Sequence, residues 1–537
     1  MRPSGAQWRF ASGRHAGIMV PLFSIPTRSS WGIGEISDLE PLSRWMSSAG
    51  LDFVMLLPLN EMEEGQSSPY SALSAMAVDP IFIALRDVED FSDAGGEQAL
   101  GTEDRSVLRA VRDRAAIDYE SVRTIKSHAL GLAFSSFHSR HWVKDTPRAA
   151  ELRRFIDSDG WWLDDYALFR ALHEEDPRSW LEWIADLRDR EPGAVAAARH
   201  RLSDRILHYQ YLQWLVDEQW QRVRRACAGV GIFGDFPFMV SSHSADVWSR
   251  QEEFRVDVSV GVPPDAFSET GQDWGLPAYR WDVVARTGYE WLRNRTRRSA
   301  ELFDGFRIDH LVGFYRTYMK DGNGRTCFAP ADEAAQRDQG ERLLTLFSSC
   351  GRRILAEDLG TVPDFVRESM AHLGIPGFKV LRWEREWHQT GKPFRDPARY
   401  PAVSVATSST HDTEALGEWW DNADEEERGL VLDIPLMRNR GITPRTAYGD
   451  TVRDALTETL MGAGSDLVIF PVQDLFGWRD RINRPASVNS KNWTWRLPFA
   501  AEELLANPRV EERARFLRRM SQKYGRSGTR RARGRAR

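Results

Sequence analysis

Eight short apolar stretches, at 17–23, 53–59, 230–238, 303–310, 353–360, 378–383, 404–412 and 466–472, are separated by segments that mostly carry the spacing of amphipathic helices. That alternation constrains the fold more than any other feature of the chain. Short apolar runs between helical patterns are how strands of a parallel sheet read when both faces are covered. Eight of them predict an α/β architecture, a (β/α)8 TIM barrel with large, mainly helical insertions between strands. A doubly wound open sheet is the alternative, but no glycine-rich nucleotide loop follows the first strand.

The spacing also predicts an organisation. From about residue 82 to 227 the chain turns charged and helical in period, so 60–228 reads mostly as an inserted subdomain. Residues 250–285 are rich in Gly, Pro, Asp and Trp and read as a long irregular loop covering a cleft, with Phe267 and Trp274 as covering aromatics. Residues 1–523 then form the barrel domain. Residues 524–537, arginine-rich and without an acid, are expected to be a disordered, solvated tail. A net charge of −6 gives no general reason to bind nucleic acid or an anionic membrane. Cys227, Cys327 and Cys350 have no CxxC spacing, so neither a disulfide framework nor a zinc ribbon is suggested. With no signal-peptide pattern and no apolar run of membrane-spanning length, a cytoplasmic location is expected.

Four of the predicted strands end in acids: Asp235, Asp309, Glu357 and Asp412. In a barrel every C-terminal strand end opens on one face, so acids far apart in sequence converge there. Arg307 stands two residues before Asp309 and shares its face of the strand, which keeps that carboxylate ionised. Like charges held close push their pKa values apart, so one carboxyl can stay protonated while its neighbour stays ionised, an arrangement suited to glycosidic bond chemistry. His310 and His411 stand beside two of the acids. A metal site is the rival chemistry, but neither H-x-H nor H-E-x-x-H occurs at these ends. Taken singly, each acid could equally be a structural salt bridge. The chain also carries 21 Trp, and flat rings are what sugar C–H faces pack against, although most will serve the core.

Taken together these motifs resemble the 4-α-glucanotransferases called amylomaltases or disproportionating enzymes, family 77 of the glycoside hydrolases in the α-amylase clan. The resemblance runs over roughly 15–500. It is carried by Phe306-Arg307-Ile308-Asp309-His310, Ala356-Glu357-Asp358-Leu359-Gly360 and Thr410-His411-Asp412. Gly234-Asp235-Phe236-Pro237, Gly271-Gln272-Asp273-Trp274-Gly275 and Asn492-Trp493-Thr494-Trp495 add to it. It implies transfer of α-1,4-glucan segments between maltodextrins, with maltooligosaccharides as donor and acceptor, no metal and no organic cofactor. It also implies roles. Asp309 would be the nucleophile of a covalent glycosyl intermediate, Glu357 the acid/base, and Asp412 the stabiliser of the transition state. Arg307 would orient Asp309. Asp235, His310 and His411 would hydrogen-bond the sugar and Tyr70 would stack on it. Gln272 and Trp274 would lie over the cleft, and Asp358 would belong to the substrate-binding set.

The chain departs from the family's pattern at three places. The family usually continues RIDH with Phe-Arg-Gly-Phe; here Leu311-Val312-Gly313-Phe314 follow, and an arginine is missing. Thr413-Glu414-Ala415 follow THD where Asn-Asp-Thr is common, and Leu276 stands where an asparagine is common. These positions border the expected cleft and bear on chain length and acceptor choice. Two other readings remain open: a glucan hydrolase of the same clan, and a catalytically silent glucan-binding protein.

Overall fold

The computed structural model describes residues 13–264, 270–485, 487 and 489–526. In chain order its strands are β1 (His15–Met19), β2 (Phe53–Met55), β3 (Gly231–Phe236), β4 (Phe254–Val262), β5 (Gln272–Tyr279), β6 (Gly305–Ile308), β7 (Thr317–Asp321), β8 (Thr326–Ala329), β9 (Arg353–Ala356), β10 (Gly377–Val380), β11 (Ser404–Thr407) and β12 (Leu467–Pro471). The eight apolar stretches each supply one barrel strand. The barrel closes in the order β1-β12-β11-β10-β9-β6-β3-β2, and its pairings are parallel. This is the (β/α)8 architecture expected from the alternation.

The strands are apolar because they have no wet face. Every residue of β1, β2, β3, β6, β11 and β12 is buried, between the barrel interior and the helices outside. Glycine lets a bulky ring lodge between β3 and the helix Ser203–Ala226, whose Trp220 meets Phe303 edge-on at 5.7 Å. A Cβ on Gly234 would sit 2.3 Å from the Phe303 ring, so that ring has its place only because position 234 has no side chain. Between β2 and β3 the chain is mainly helical, and the helices Pro147–Glu175 and Ser203–Ala226 pack on one another.

The stretch read as an irregular loop is not one. β4 and β5 form an antiparallel pair, and with β7 and β8 they make a second sheet ordered β5-β4-β7-β8. The alternation Phe254-Arg255-Val256-Asp257-Val258-Ser259-Val260 is the period-two signature of such a strand. The glycines and prolines around it drew the reading towards a loop. Residues 265–269, Phe267 among them, lie outside the described residues.

The C-terminal boundary also moves. The helix Pro508–Lys523 packs on the helix Leu39–Ala49, and the chain then enters the base of the barrel. Arg526 is fully buried there. Its guanidinium donates to the carbonyls of Met461 at 2.7 Å, Ala463 at 2.6 Å, Ser465 at 2.9 Å, and His15 and Asp466 at 3.3 Å. Residues 524–526 are therefore part of the fold and not of a tail; 527–537 lie outside the described residues. Among the described residues no helix is long and apolar enough to cross a membrane.

Candidate active site

The C-terminal ends of the barrel strands open into a cleft of about 500 Å³. Tyr70, from the loop after β2, lines it with Gln272 and Trp274 of β5. Arg307 of β6 lines it with Asp309 and His310 just beyond. Glu357 follows β9, and His411 and Asp412 follow β11. The sequence candidates meet here because they sit at equivalent ends of parallel strands.

Arg307 is the hub. Its Nη1 donates to Asp235 Oδ2 at 2.6 Å and to the Tyr70 hydroxyl at 3.3 Å. Its Nη2 reaches Asp309 Oδ1 at 2.8 Å and Glu357 Oε2 at 3.5 Å. Register explains the convergence: Arg307 pairs with Asp235 on one side and Leu355, two residues before Glu357, on the other. Just past the strand, His310 adopts φ 44°, in the left-handed region that side chains other than glycine rarely occupy. The turn aims its amide at Glu357 Oε2, 2.8 Å away. A strained residue held at the mouth of a cleft is the usual mark of a site whose geometry matters.

The acids are driven to different protonation states. Burial first, and then Asp309, raise Glu357 to about 7, although Arg307 and the His310 amide oppose the shift. Burial also acts to raise Asp412, but the His411 imidazole at 3.1 Å and Asn483 Nδ2 at 2.6 Å outweigh it and hold that carboxyl at about 2. His411 is shifted upward: burial opposes its charge and Asp412 overcomes that. Burial pushes His310 down to about 4, so its ring is neutral. One face of the barrel thus holds a carboxyl that keeps its proton near neutrality and another that cannot hold one.

Rings frame these groups. Tyr70 stacks on His411 at 5.7 Å and 16°, and Trp493 leans on both, at 5.7 Å from Tyr70 and 5.9 Å from His411. Trp274 meets His310 edge-on at 4.8 Å, its Nε1 donating to Gln272 Oε1. Two candidates do not line the cleft. Asp235 lies beneath Tyr70 and Arg307, fixing both, with its side chain 1 % exposed, too deep to meet a sugar directly. Asp358 accepts from the Phe378 amide at 2.7 Å, tying the end of β9 to β10, because consecutive residues at a strand end point opposite ways. Three residues unassigned from sequence join the site. Asn483 bonds Asp412 and, through its amide, the His411 carbonyl; Arg481 bonds the Asp412 carbonyl; Trp493 walls the cleft. Trp493 had a signal in the Asn-Trp-Thr-Trp motif, but Asn483 had none. Among the described residues no cluster of three or more His, Cys, Asp or Glu side chains is placed to hold a metal ion.

A family profile described as 4-alpha-glucanotransferase matches residues 20–501. The chain is 31% identical over 522 residues to a 4-alpha-glucanotransferase of Chlamydia pneumoniae, covering 94% of this chain and 95% of that one. A 4-alpha-glucanotransferase of Thermus thermophilus is 32% identical over 512 residues, covering 90% and 95%. Among solved structures, an amylomaltase from Streptococcus agalactiae in complex with acarbose superposes with a TM-score of 0.81 at 26% identity, over 96% of this chain and 100% of that one.

Proposed function

The chain belongs to the 4-alpha-glucanotransferase family, glycoside hydrolase family 77, and from that premise we propose how its cleft moves α-1,4-glucan segments from one maltodextrin to another with retention. The observation that carries the reading is the sharing of one guanidinium nitrogen by two carboxyls, those of Asp309 and Glu357. Arg307 Nη2 lies 2.8 Å from Asp309 and 3.5 Å from Glu357. That favours the closer pair of a retaining enzyme over the wide separation, roughly 6.5–9.5 Å, that inverting enzymes keep for a water.

In this mechanism Glu357, protonated near neutrality, gives its proton to the glycosidic oxygen as the bond to the leaving chain breaks. Asp309, held by Arg307, attacks the anomeric carbon from the other face, and its carboxylate oxygen forms the new bond. Asp412, ionised and fixed by His411 and Asn483, stabilises positive charge as it develops on the sugar ring. Glu357, now ionised, takes the proton from the incoming 4-hydroxyl of an acceptor, whose oxygen displaces Asp309. Two inversions give net retention. Tyr70 offers a ring to the sugar at the cut.

Maltotriose as sole substrate tests transfer. Glucose and longer maltodextrins should appear together while total reducing ends stay nearly constant. Reducing ends that rise with every bond broken would make the protein a hydrolase of the same clan. No cleavage at all would leave only a glucan-binding protein.

A further inference from the structure

The sequence lacks the arginine that its family's pattern puts at position 312, where Val312 stands. One helical turn on, the chain places another. Arg316 follows the short helix Leu311–Tyr315, its amide bonded to the Val312 carbonyl at 2.8 Å, and Val312 and Arg316 both line the cleft. The Arg316 guanidinium lies 4.5 Å over the ring of Phe328. Phe328 on β8 pairs across strands with Tyr318 on β7, their rings 5.3 Å apart, and both line the cleft as well.

Arg316 differs from the other cleft arginine in having no carboxylate partner among the described residues. Arg307 binds three carboxylates. Among the described residues no carboxylate lies within ion-pair distance of Arg316, its side chain makes no hydrogen bond, and its Nε is buried without an acceptor. Burial of that Nε without an acceptor costs the fold something, while the terminal nitrogens of the half-buried group stay open to an acceptor in the cleft. Phe328 covers one face of the group, and its donors lie in its plane as a fork matched to two neighbouring oxygens. The flanking rings of Phe328 and Tyr318 suit the apolar face of a pyranose.

Position selects the sugar. On the reading above, the donor ring is held by Asp412, His411 and Tyr70. Arg316 belongs instead to the element that grips the acid/base: the His310 amide bonds the Glu357 carboxyl, and the Leu311 amide bonds its carbonyl. An acid/base faces the leaving chain, and so also the acceptor that replaces it. We propose that Arg316 is the hydroxyl clamp of the acceptor subsite, its planar fork offered to a sugar from the wall that Phe328 and Tyr318 build. The proposal rests on the transferase reading, and its test separates the two.

The test compares wild type with Arg316→Met, which keeps an apolar stem over Phe328, and Arg316→Lys, which keeps the charge and loses the fork. Maltotriose is the donor and added maltose the acceptor, with total donor cleavage, the ratio of transfer to hydrolysis, and half-saturation by acceptor all measured. Losing one charge-assisted hydrogen bond corresponds to about tenfold. Arg316→Met should raise half-saturation by acceptor about tenfold and lower the transfer ratio by about as much, while total cleavage falls far less; Arg316→Lys should fall between. An unchanged ratio overturns the proposal. So does an equal loss of cleavage and transfer, which marks a structural role. A wild-type enzyme that only hydrolyses defeats the transferase reading instead, whatever the variants do.

Discussion

Replacing Glu357 with glutamine tests the mechanism through its pH dependence. The folded carboxyl is held at about 7 against an ordinary 4.5, by burial first and by Asp309 next. That difference, about 2.5 units, favours the protonated form by roughly 3 kcal/mol. Cleavage of maltotriose needs the proton, so the wild-type rate should fall about tenfold per pH unit above about 7. An α-glucosyl fluoride needs little protonation to leave, so its first step should lack that limb. Glu357→Gln should lower maltotriose turnover by about 10²–10⁴ and largely spare the first step with the fluoride, the glycosyl-enzyme then accumulating for want of a base. Stability should move the opposite way. A folded pKa raised above the unfolded one gives stability that is fully present below about 4.5 and is lost as pH rises through about 7. Glutamine cannot ionise, so the variant should be more stable than wild type by up to roughly 3 kcal/mol at about pH 8, and no different at about pH 4. Initial rates on both donors across this range, with urea melts at its ends, measure both effects. An alkaline limb that survives in the variant, or a fluoride donor that falls as far as maltotriose, would refute the assignment.

Asp309→Asn should remove turnover while the fold persists, and wild type quenched with a slow donor should carry a glycosyl adduct on Asp309; mass spectrometry that places the adduct elsewhere would end the nucleophile assignment. Asn483→Ala removes one of the bonds that hold the Asp412 carboxyl at about 2, so the acid limb of the pH–rate profile should move to higher pH and kcat should fall with KM little changed; an unmoved limb would limit Asn483 to packing. Deleting 527–537 should leave the melting temperature in place, whereas deleting 525–537 removes Arg526 from five carbonyls and should lower stability by about 3 kcal/mol; equal melts for the two truncations would mean that the buried guanidinium adds nothing.

Apolar runs and strand ends could be read from the sequence because a parallel barrel imposes them locally. A strand buried on both faces must be apolar from end to end, and a residue that faces the cleft follows it. That Asp309, Glu357 and Asp412 would meet in one cleft was therefore visible without coordinates. Side-chain direction was harder. Asp235 and Asp358 sit at strand ends as the cleft residues do, yet one lies under Arg307 and the other turns to the Phe378 amide. A one-residue step or a deeper seat decides between these fates, and neither shows in spacing. Asn483 reaches Asp412 from 71 positions away along a loop with no periodicity to read. The antiparallel sheet was missed for the opposite reason. Its alternating pattern at 254–260 was present, but glycine and proline around it outweighed the pattern. Arg526 was hidden by composition, since nothing in an arginine-rich end marks the one guanidinium that the barrel base takes in.

The seam of the barrel has a consequence for how the chain is made. β1 is the first barrel strand synthesised and β12 the last, yet they are hydrogen-bonded neighbours, with His15 opposite Leu467 and Met19 opposite Pro471. At ordinary elongation rates of about 5–20 residues per second, the growing chain waits on the order of 20–90 s between the two. Throughout that time β1 presents an open, apolar edge, which in a free chain would invite pairing with another copy. Arg526 emerges later still, and its bond to the His15 carbonyl fastens the stretch after the last helix to the first strand. The barrel therefore cannot close until β12 has been made, and the edge of β1 stays exposed until then.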